Sequence, residues 1–391
     1  MTVPEDIAPS ASLTGVRVVE IGTSVAAPYA GLVLAALGAD VIKVERPDGG
    51  DDARQWGRLF ADGSSSYFSA MNRDKRGVTV DLKNDGEREW LRRFCIQEAD
   101  VVLQNMRPGR ADRNGIGAEA LTAANPRLVY CNMGAFGNVG PEQGKPGYDP
   151  LMQACGGIMS ITGEDGRPPI RVGTSIVDMG TGLWAVIGIL AALNRRQQTG
   201  RGCIVDTSLY ETALGWMAHH AAAAQVNGEN PERQGSGARG LAPYQAYQCR
   251  DGWLVVAAPN DRLFHKLSGV LGHPEWPADA RFAGNQDRYR NLPALNEQIA
   301  PILLERTRDQ WSEVLEAAGI PNAPVRTTLE MMDDAQTRAL GMLQRLDPAR
   351  PELMALPLSF DGQRAPLRRY APELGEHNQE IRPEVESDAD A

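Results

Sequence analysis

Six short apolar runs recur along the first half of the chain, at residues 16–21, 41–44, 78–82, 101–104, 128–132 and 203–208. They are rich in valine and isoleucine and too continuous for strands with one wet face, so they read as strands buried on both sides. The stretches between them are long enough for crossover helices. Together they predict an α/β unit with a mostly parallel, Rossmann-like sheet covered on both faces. The first repeat is the clearest. A strand leads into the small-residue turn Ser24-Val25-Ala26-Ala27-Pro28, a helix runs through Leu37 to Gly38, and a second strand ends at Glu45-Arg46-Pro47. That is a β-α-β unit, with glycine where a helix commonly stops.

The pattern changes after residue 227. A polar, glycine-rich loop spans 228–240, and Gly235-Ser236-Gly237 within it reads equally as a mobile cover or a plain linker. Runs at 244–248 and 253–258 predict an antiparallel pair turning at Arg250-Asp251-Gly252. Helices follow at 261–271, 292–306, 308–319 and 328–340, with strands near 343–346 and 367–369. The expected organisation is a loose leader (1–12), the first part of a large α/β domain (13–205) and a linker (206–241). A smaller α+β domain (242–319) follows, then a linker and return to the large domain (320–380), and a disordered acidic tail (381–391). The linker carries a helix from 209 to about 227 with His219-His220, whose expected role is packing or solvation.

Hydrophobic residues make up 42% of the 391, yet the longest apolar helical stretch, 183–193, is too short to cross a bilayer. The net charge of −10 argues against nucleic-acid binding, which needs a basic surface. A phosphorylated anion must therefore meet a local cluster drawn from Arg46, Arg73, Lys75, Arg76, Arg107, Arg113 and Lys145. The turn at 24–28 is not a glycine fingerprint, which disfavours a dinucleotide. The five cysteines are scattered without metal-ligand spacing. No metal is expected, and reduced thiols point to the cytoplasm. Met1-Thr-Val-Pro-Glu-Asp lacks the basic and apolar regions of a signal peptide.

The candidate chemistry centres on Asp178. It is followed by Met179-Gly180-Thr181-Gly182 and a long apolar stretch, so it sits where an expected strand gives way to a helix. One reading is a helix cap. The other is an ionised carboxylate in the field of a helix N-terminus, able to attack an activated acyl group, with the glycines permitting close backbone approach.

Four segments together resemble the class III CoA-transferase family, the group of formyl-CoA transferase, carnitine CoA-transferase and α-methylacyl-CoA racemase. They are Gly38-Ala-Asp-Val-Ile-Lys-Val-Glu-Arg-Pro47, Asn72-x-x-Lys75-Arg76, Asn105 to Gly109, and the Asp178 segment. The resemblance runs from about Leu13 to about His377. It implies a large domain built from both chain ends, a small domain between them, and an interlocked homodimer. It implies acyl-CoA and a small carboxylic acid as substrates, no nucleic-acid or membrane partner, and Asp178 as nucleophile. Ser24, Val25 and Ala26 would lie near the pantetheine and thiol, and Arg46 against the adenine. Asn105, Met106, Arg107 and Arg113 would make further CoA contacts. Lys75 and Arg76 would serve the phosphates, and Lys145 and Tyr148 would stand at the active-site mouth.

Three functions stay open on the sequence: a CoA-transferase, an α-proton racemase of the same fold, and a CoA-binding protein without catalysis. The racemase branch pairs its aspartate with a histidine in a Gly-His-Asp segment, where this chain has Gly147-Tyr148-Asp149. A tyrosine, with an ordinary pKa near 10, is a poor base at neutral pH.

Overall fold

The computed structural model describes residues 11–386, which divide into two compact units. Residues 11–158, 171–227 and 335–386 form the first, and residues 159–170 and 228–334 the second. The six predicted runs are all strands of one sheet in the first unit. They are β1 (Arg17–Ile21), β2 (Asp40–Glu45), β3 (Arg76–Thr79), β4 (Val101–Gln104), β5 (Val129–Gly134) and β6 (Ile204–Ser208). Their order is β3-β2-β1-β4-β5-β6, and every neighbouring pair is parallel.

Alternate residues feed two cores, as the two-residue period of a strand requires. Val18, Val41, Val101 and Val129 pack with the helices Ala26–Ala36 and Ile176–Thr199 on one face. Val19, Ile42, Val78 and Val102 pack with Trp90, Leu91 and Phe94 of the helix Asp85–Gln97 on the other. The strand order reverses its direction of growth between β1 and β4. In open parallel sheets, the carboxyl ends of the strands at such a switch point form the ligand crevice.

The second unit has an antiparallel sheet, β7 (Tyr244–Cys249), β8 (Gly252–Ala257) and β9 (Asn322–Pro324), in that order. Its core joins Leu254 and Val256 to Phe264, Leu267, Leu295 and Trp311 from the surrounding helices. Within this unit, Gly235 N–H donates to the Gly163 carbonyl at 2.9 Å, and Ala246 N–H to Ser236 Oγ at 3.0 Å.

Several expectations need correction. Residues 206–227 are not linker: β6 completes the large sheet, and the helices Leu209–Trp216 and Ala218–Asn227 belong to the first unit. The second unit is wider than 242–319, because it includes 159–170, 228–241 and 320–334. The helix expected over 328–340 is two, Thr328–Asp333 and Ala335–Ala339, separated at Asp334. Residues 367–369 join no ladder. Of the acidic tail, residues up to 386 form the short helices Asn378–Ile381 and Pro383–Glu386, and Ile381 and Val385 are buried in the core beside Trp90. The remainder of the tail, 387–391, and residues 1–10 of the leader lie outside the described residues.

The apolar helix is also longer than its 11-residue core of hydrophobic positions suggested. It spans 24 residues, with a mean hydropathy of 1.9 over its most apolar window, and is long enough by length and composition to cross a membrane. Half of that window is buried inside the protein. Val177, Thr181, Ala185 and Ile189 make the buried stripe of a core helix.

Candidate active site

The turn after β1 lies at the switch point, and the backbone of Gly22, Thr23 and Ser24 is tied down. Thr23 N–H donates to Asn105 Oδ1 at 3.0 Å, and Asn105 Nδ2 donates back to the Thr23 carbonyl at 2.9 Å. Asn105 follows β4, so this pair ties the two strands where the order reverses. Ser24 N–H donates to Asp51 Oδ1 at 3.0 Å. Lys43 Nζ donates to the Gly22 carbonyl at 2.9 Å and to Asp51 Oδ2 at 3.0 Å. Ser24 sits at φ 71°, a left-handed conformation that costs energy in a residue with a Cβ. The clamp from Asp51, Lys43 and Asn105 holds it there. Val25 and Ala26 are buried immediately behind, and no side chain caps the helix Ala26–Ala36 that they begin.

Asp178 lies on the long helix that packs against the helix following this turn. It is the third residue of the helix Ile176–Thr199, not its cap; Ser175 holds the cap position, and no strand precedes it. Gly182 lies one helical turn further along the same face. A Cβ on Gly182 would fall 2.8 Å from the Ala26 carbonyl oxygen and 3.2 Å from Ala30 N. The glycine therefore lets the two helices meet where the first begins, one helical turn from Asp178. Gly180 serves the other side, where a Cβ would meet Trp216 at 2.8 Å.

Asp178 is half-buried, and this changes its expected charge. Burial pushes its carboxyl up to about 7, and the nearby Asp149 carboxylate adds to the rise. The expectation of a firmly ionised aspartate is thus corrected. The helix N-terminus favours the anion, but desolvation and a like charge outweigh it.

Asp149 and Gln153 are functional candidates that sequence reasoning passed over. Asp149 opens the helix Asp149–Cys155 and is almost fully buried. Its Oδ2 accepts the N–H groups of Val177 at 2.7 Å and Asp178 at 3.1 Å. Its Oδ1 accepts Gln153 Nε2 at 2.6 Å, and Gln153 Oε1 accepts Val172 N–H at 2.8 Å. The available signal was the Asp-x-x-x-Gln spacing, which places both on one helix face.

This constellation is a carboxylate of raised basicity beside an uncapped helix start at a parallel-sheet switch point. It suits attack on an acyl group of an anionic ligand. The sequence model of CoA-transferase family III matches residues 13–378. The chain belongs to that family. Among its relatives, the succinyl-CoA–D-citramalate CoA-transferase of Chloroflexus aurantiacus is 35% identical over 384 residues, covering 95% of this chain and 94% of that one. The succinate–glutarate CoA-transferase of Agrobacterium fabrum is 34% identical over 386 residues, covering 96% of each. A solved CaiB/BaiF family protein from Brucella suis superposes with a TM-score of 0.89 at 39% identity, over 95% of this chain and 99% of its own.

The remaining candidates of this class III CoA-transferase fall into two groups. Arg46 follows β2 at the carboxyl edge of the sheet, with its side chain 56% exposed and paired to Asp52 at 2.5 Å. Asn105 and Met106 follow β4 and are half-buried, and Arg107 and Arg113 beyond them are exposed. Lys145 is exposed and paired to Glu142 at 2.5 Å, and Tyr148 is exposed immediately before Asp149.

Lys75 and Arg76 belong elsewhere, which corrects their expected phosphate role. Lys75 has no exposed surface, and its Nζ is taken by Glu20 Oε2 at 2.7 Å, the Pro28 carbonyl at 2.8 Å and Asn72 Oδ1 at 2.8 Å. Burial lowers its ammonium to about 8, against the pull of Glu20 beside it. Arg76 starts β3, at the amino edge of the sheet, and grips Asp40 with two bonds of 2.9 and 2.6 Å. Both stabilise the scaffold, and Arg76 is at the wrong end of the strands for the crevice.

Proposed function

We propose that this enzyme moves CoA from an acyl-CoA donor to a free carboxylic acid, with Asp178 as the covalent carrier. The observation that carries the reading is the half-buried Asp178 carboxylate, of raised basicity, one helical turn from the point where Gly182 packs against the start of the helix Ala26–Ala36. A more basic carboxylate is a better nucleophile once ionised, and a partly desolvated site protects its intermediates from water.

In the proposed sequence, an Asp178 oxygen attacks the donor thioester carbon. The C–S bond breaks, giving a mixed anhydride and CoA thiolate. The thiolate attacks the Asp178 side-chain carbonyl and releases the donor acid, leaving an aspartyl-CoA thioester. The acceptor carboxylate attacks that thioester, and the thiolate leaves again. It then attacks the acceptor acyl carbon, which forms the product thioester and returns the Asp178 carboxylate. The uncapped N–H groups that begin the helix Ala26–Ala36 suit the oxyanion of each addition. Arg46, Arg107 and Arg113 supply the cations for CoA, with Ser24 to Ala26, Asn105, Met106, Lys145 and Tyr148 completing the contacts.

The relatives' names support a substrate class. Succinyl-CoA with D-citramalate, and succinate with glutarate, are dicarboxylate pairs. We therefore assign succinyl-CoA as donor and a dicarboxylate as acceptor. A homodimer, interlocked as the family resemblance implies, is supported by an exposed apolar face. Trp184 is 46% and Ile187 54% exposed on the long helix, and Trp216 stands 6.4 Å from Trp184 between ring centres. The free state of all five cysteines fits a cytoplasmic enzyme.

The test is to incubate the protein with succinyl-CoA and a panel of free acids including glutarate and D-citramalate, and to identify the CoA products by mass. Exchange by the wild type and none by Asp178→Asn supports the reading. Loss of α-deuterium from a 2-methylacyl-CoA without acid exchange would establish racemisation instead, and neither activity would leave a CoA-binding protein.

A further inference from the structure

Asp149 and Gln153 stand one turn apart on the helix Asp149–Cys155 and are both buried. Together they hold three backbone N–H groups, those of Val172, Val177 and Asp178. A helix start is ordinarily capped by a side chain of its own segment. Here Ser175 makes no capping bond, and Asp149 caps the helix from 28 and 29 residues upstream. The Gln153 amide donates to the second oxygen of Asp149 and so fixes its rotamer.

We propose that Asp149, braced by Gln153, is a positioning residue that fixes the backbone of Asp178 and thereby aims its carboxylate through every step of the transfer. The proposal rests on Asp178 being the nucleophile. In that reading, Asp178 attacks an acyl carbon, is attacked at its own carbonyl, and then reverses both roles. The reacting atoms must return to one position while the group attached to Asp178 changes from nothing to acyl to CoA. Misplacement by about 1 Å costs on the order of a hundredfold in rate. The helix start is the backbone that must not move, and the Asp149 carboxylate holds two of its N–H groups on one oxygen.

The hydrogen-bond directions make this testable. A carboxylate accepts on both oxygens, so Asp149 takes Val177 and Asp178 on one and Gln153 on the other. Asparagine at position 149 would present an NH2 group to one of those donors. Gln153 cannot simply flip to meet it, because its Oε1 already accepts Val172 N–H. Glutamate at position 153 can, since one of its oxygens accepts Val172 and the other accepts the asparagine NH2. The double variant Asp149→Asn/Gln153→Glu thus keeps every bond of the brace and moves the charge by one helical turn, from position 149 to 153.

The variants are assayed with succinyl-CoA and the best acceptor of the acid panel, with Asp178→Asn as reference. Asp149→Asn is expected to lose about 10- to 100-fold in kcat, with KM for succinyl-CoA changed less than about threefold. The double variant is expected to recover to within about tenfold of wild type. Independently of turnover, hydrogen exchange of the peptide spanning 172–178 should be slow in wild type and the double variant, and fast in Asp149→Asn. An Asp149→Asn enzyme with wild-type kcat would overturn the proposal. So would a double variant that exchanges fast, fails to fold or turns over no better than the single one. If Asp178→Asn itself keeps turnover, the nucleophile assignment has failed instead, and the two failures are distinguished.

Discussion

Replacing Asp178 by asparagine should abolish transfer and yet stabilise the protein, by an amount that grows with pH. The folded carboxyl is raised from an ordinary 3.8 to about 7 by burial and by Asp149. Below both values neither state is ionised, and Asp178 costs nothing. As the pH rises between them, the unfolded chain releases its proton while the folded chain keeps it, so stability falls. Above about 7 both are ionised, and the full cost of the buried charge is present. At about 1.36 kcal/mol per pKa unit, the three-unit gap sets a ceiling of roughly 4 kcal/mol. Solvent reaching the half-buried side chain reduces this, to about 1–3 kcal/mol. Asparagine keeps the backbone N–H on Asp149 and carries no charge. Much of the window between the two pKa values already lies below pH 5.5, so its advantage over wild type should increase by up to about 2 kcal/mol between pH 5.5 and pH 8.5. Urea unfolding at both pH values, at one fixed protein concentration, measures this directly. An advantage that is equal at the two pH values, or that shrinks as pH rises, would refute the account of why Asp178 is basic.

Other predictions follow from the same geometry. The kcat/KM for acyl-CoA should climb with pH through an apparent pKa near 7, as Asp178 ionises, which a pH–rate profile at saturating acceptor will check. Arg46→Ala should raise KM for the acyl-CoA several-fold with kcat largely kept, because a contact remote from the reacting bond gives uniform binding; an unchanged KM would remove Arg46 from the CoA site. Trp184→Glu should weaken self-association, read by sedimentation, because it buries a charge in any interface that covers the exposed apolar face.

What the sequence made legible follows from where each signal resides. The six sheet strands were visible because buried parallel strands are continuous in valine and isoleucine, and each run carries its own signal. The turn at Ser24 and the aspartate at 178 were visible as residues, since small side chains and a carboxylate before glycines are local patterns. Their partners were not. Asp149 caps a helix nearly thirty residues away, and no periodicity along the chain encodes that bond. Lys75 and Arg76 read as phosphate ligands until the structure gave them Glu20, two strands away in the sheet, and Asp40, on the next strand. The short terminal helices were hidden because Ile381 and Val385 are two isolated apolar residues in an acidic stretch. Residues 159–170 join a unit whose other members begin at Gly228, a non-local assignment that composition cannot express.

If Asp178 is the covalent carrier, it becomes acylated during turnover, and that species can be trapped. The enzyme is incubated with succinyl-CoA and hydroxylamine, digested, and mapped by mass. An acyl-aspartyl or aspartyl-CoA group is electrophilic at the side-chain carbonyl, whereas a free carboxylate is inert. The account predicts a hydroxamate on Asp178 alone among the chain's 50 acidic residues, formed only when succinyl-CoA is present. A hydroxamate on Asp149 would move the nucleophile to that residue. Unmodified Asp178, in an enzyme that turns over and that hydroxylamine can enter, would mean that the acyl group passes directly between CoA and the acceptor.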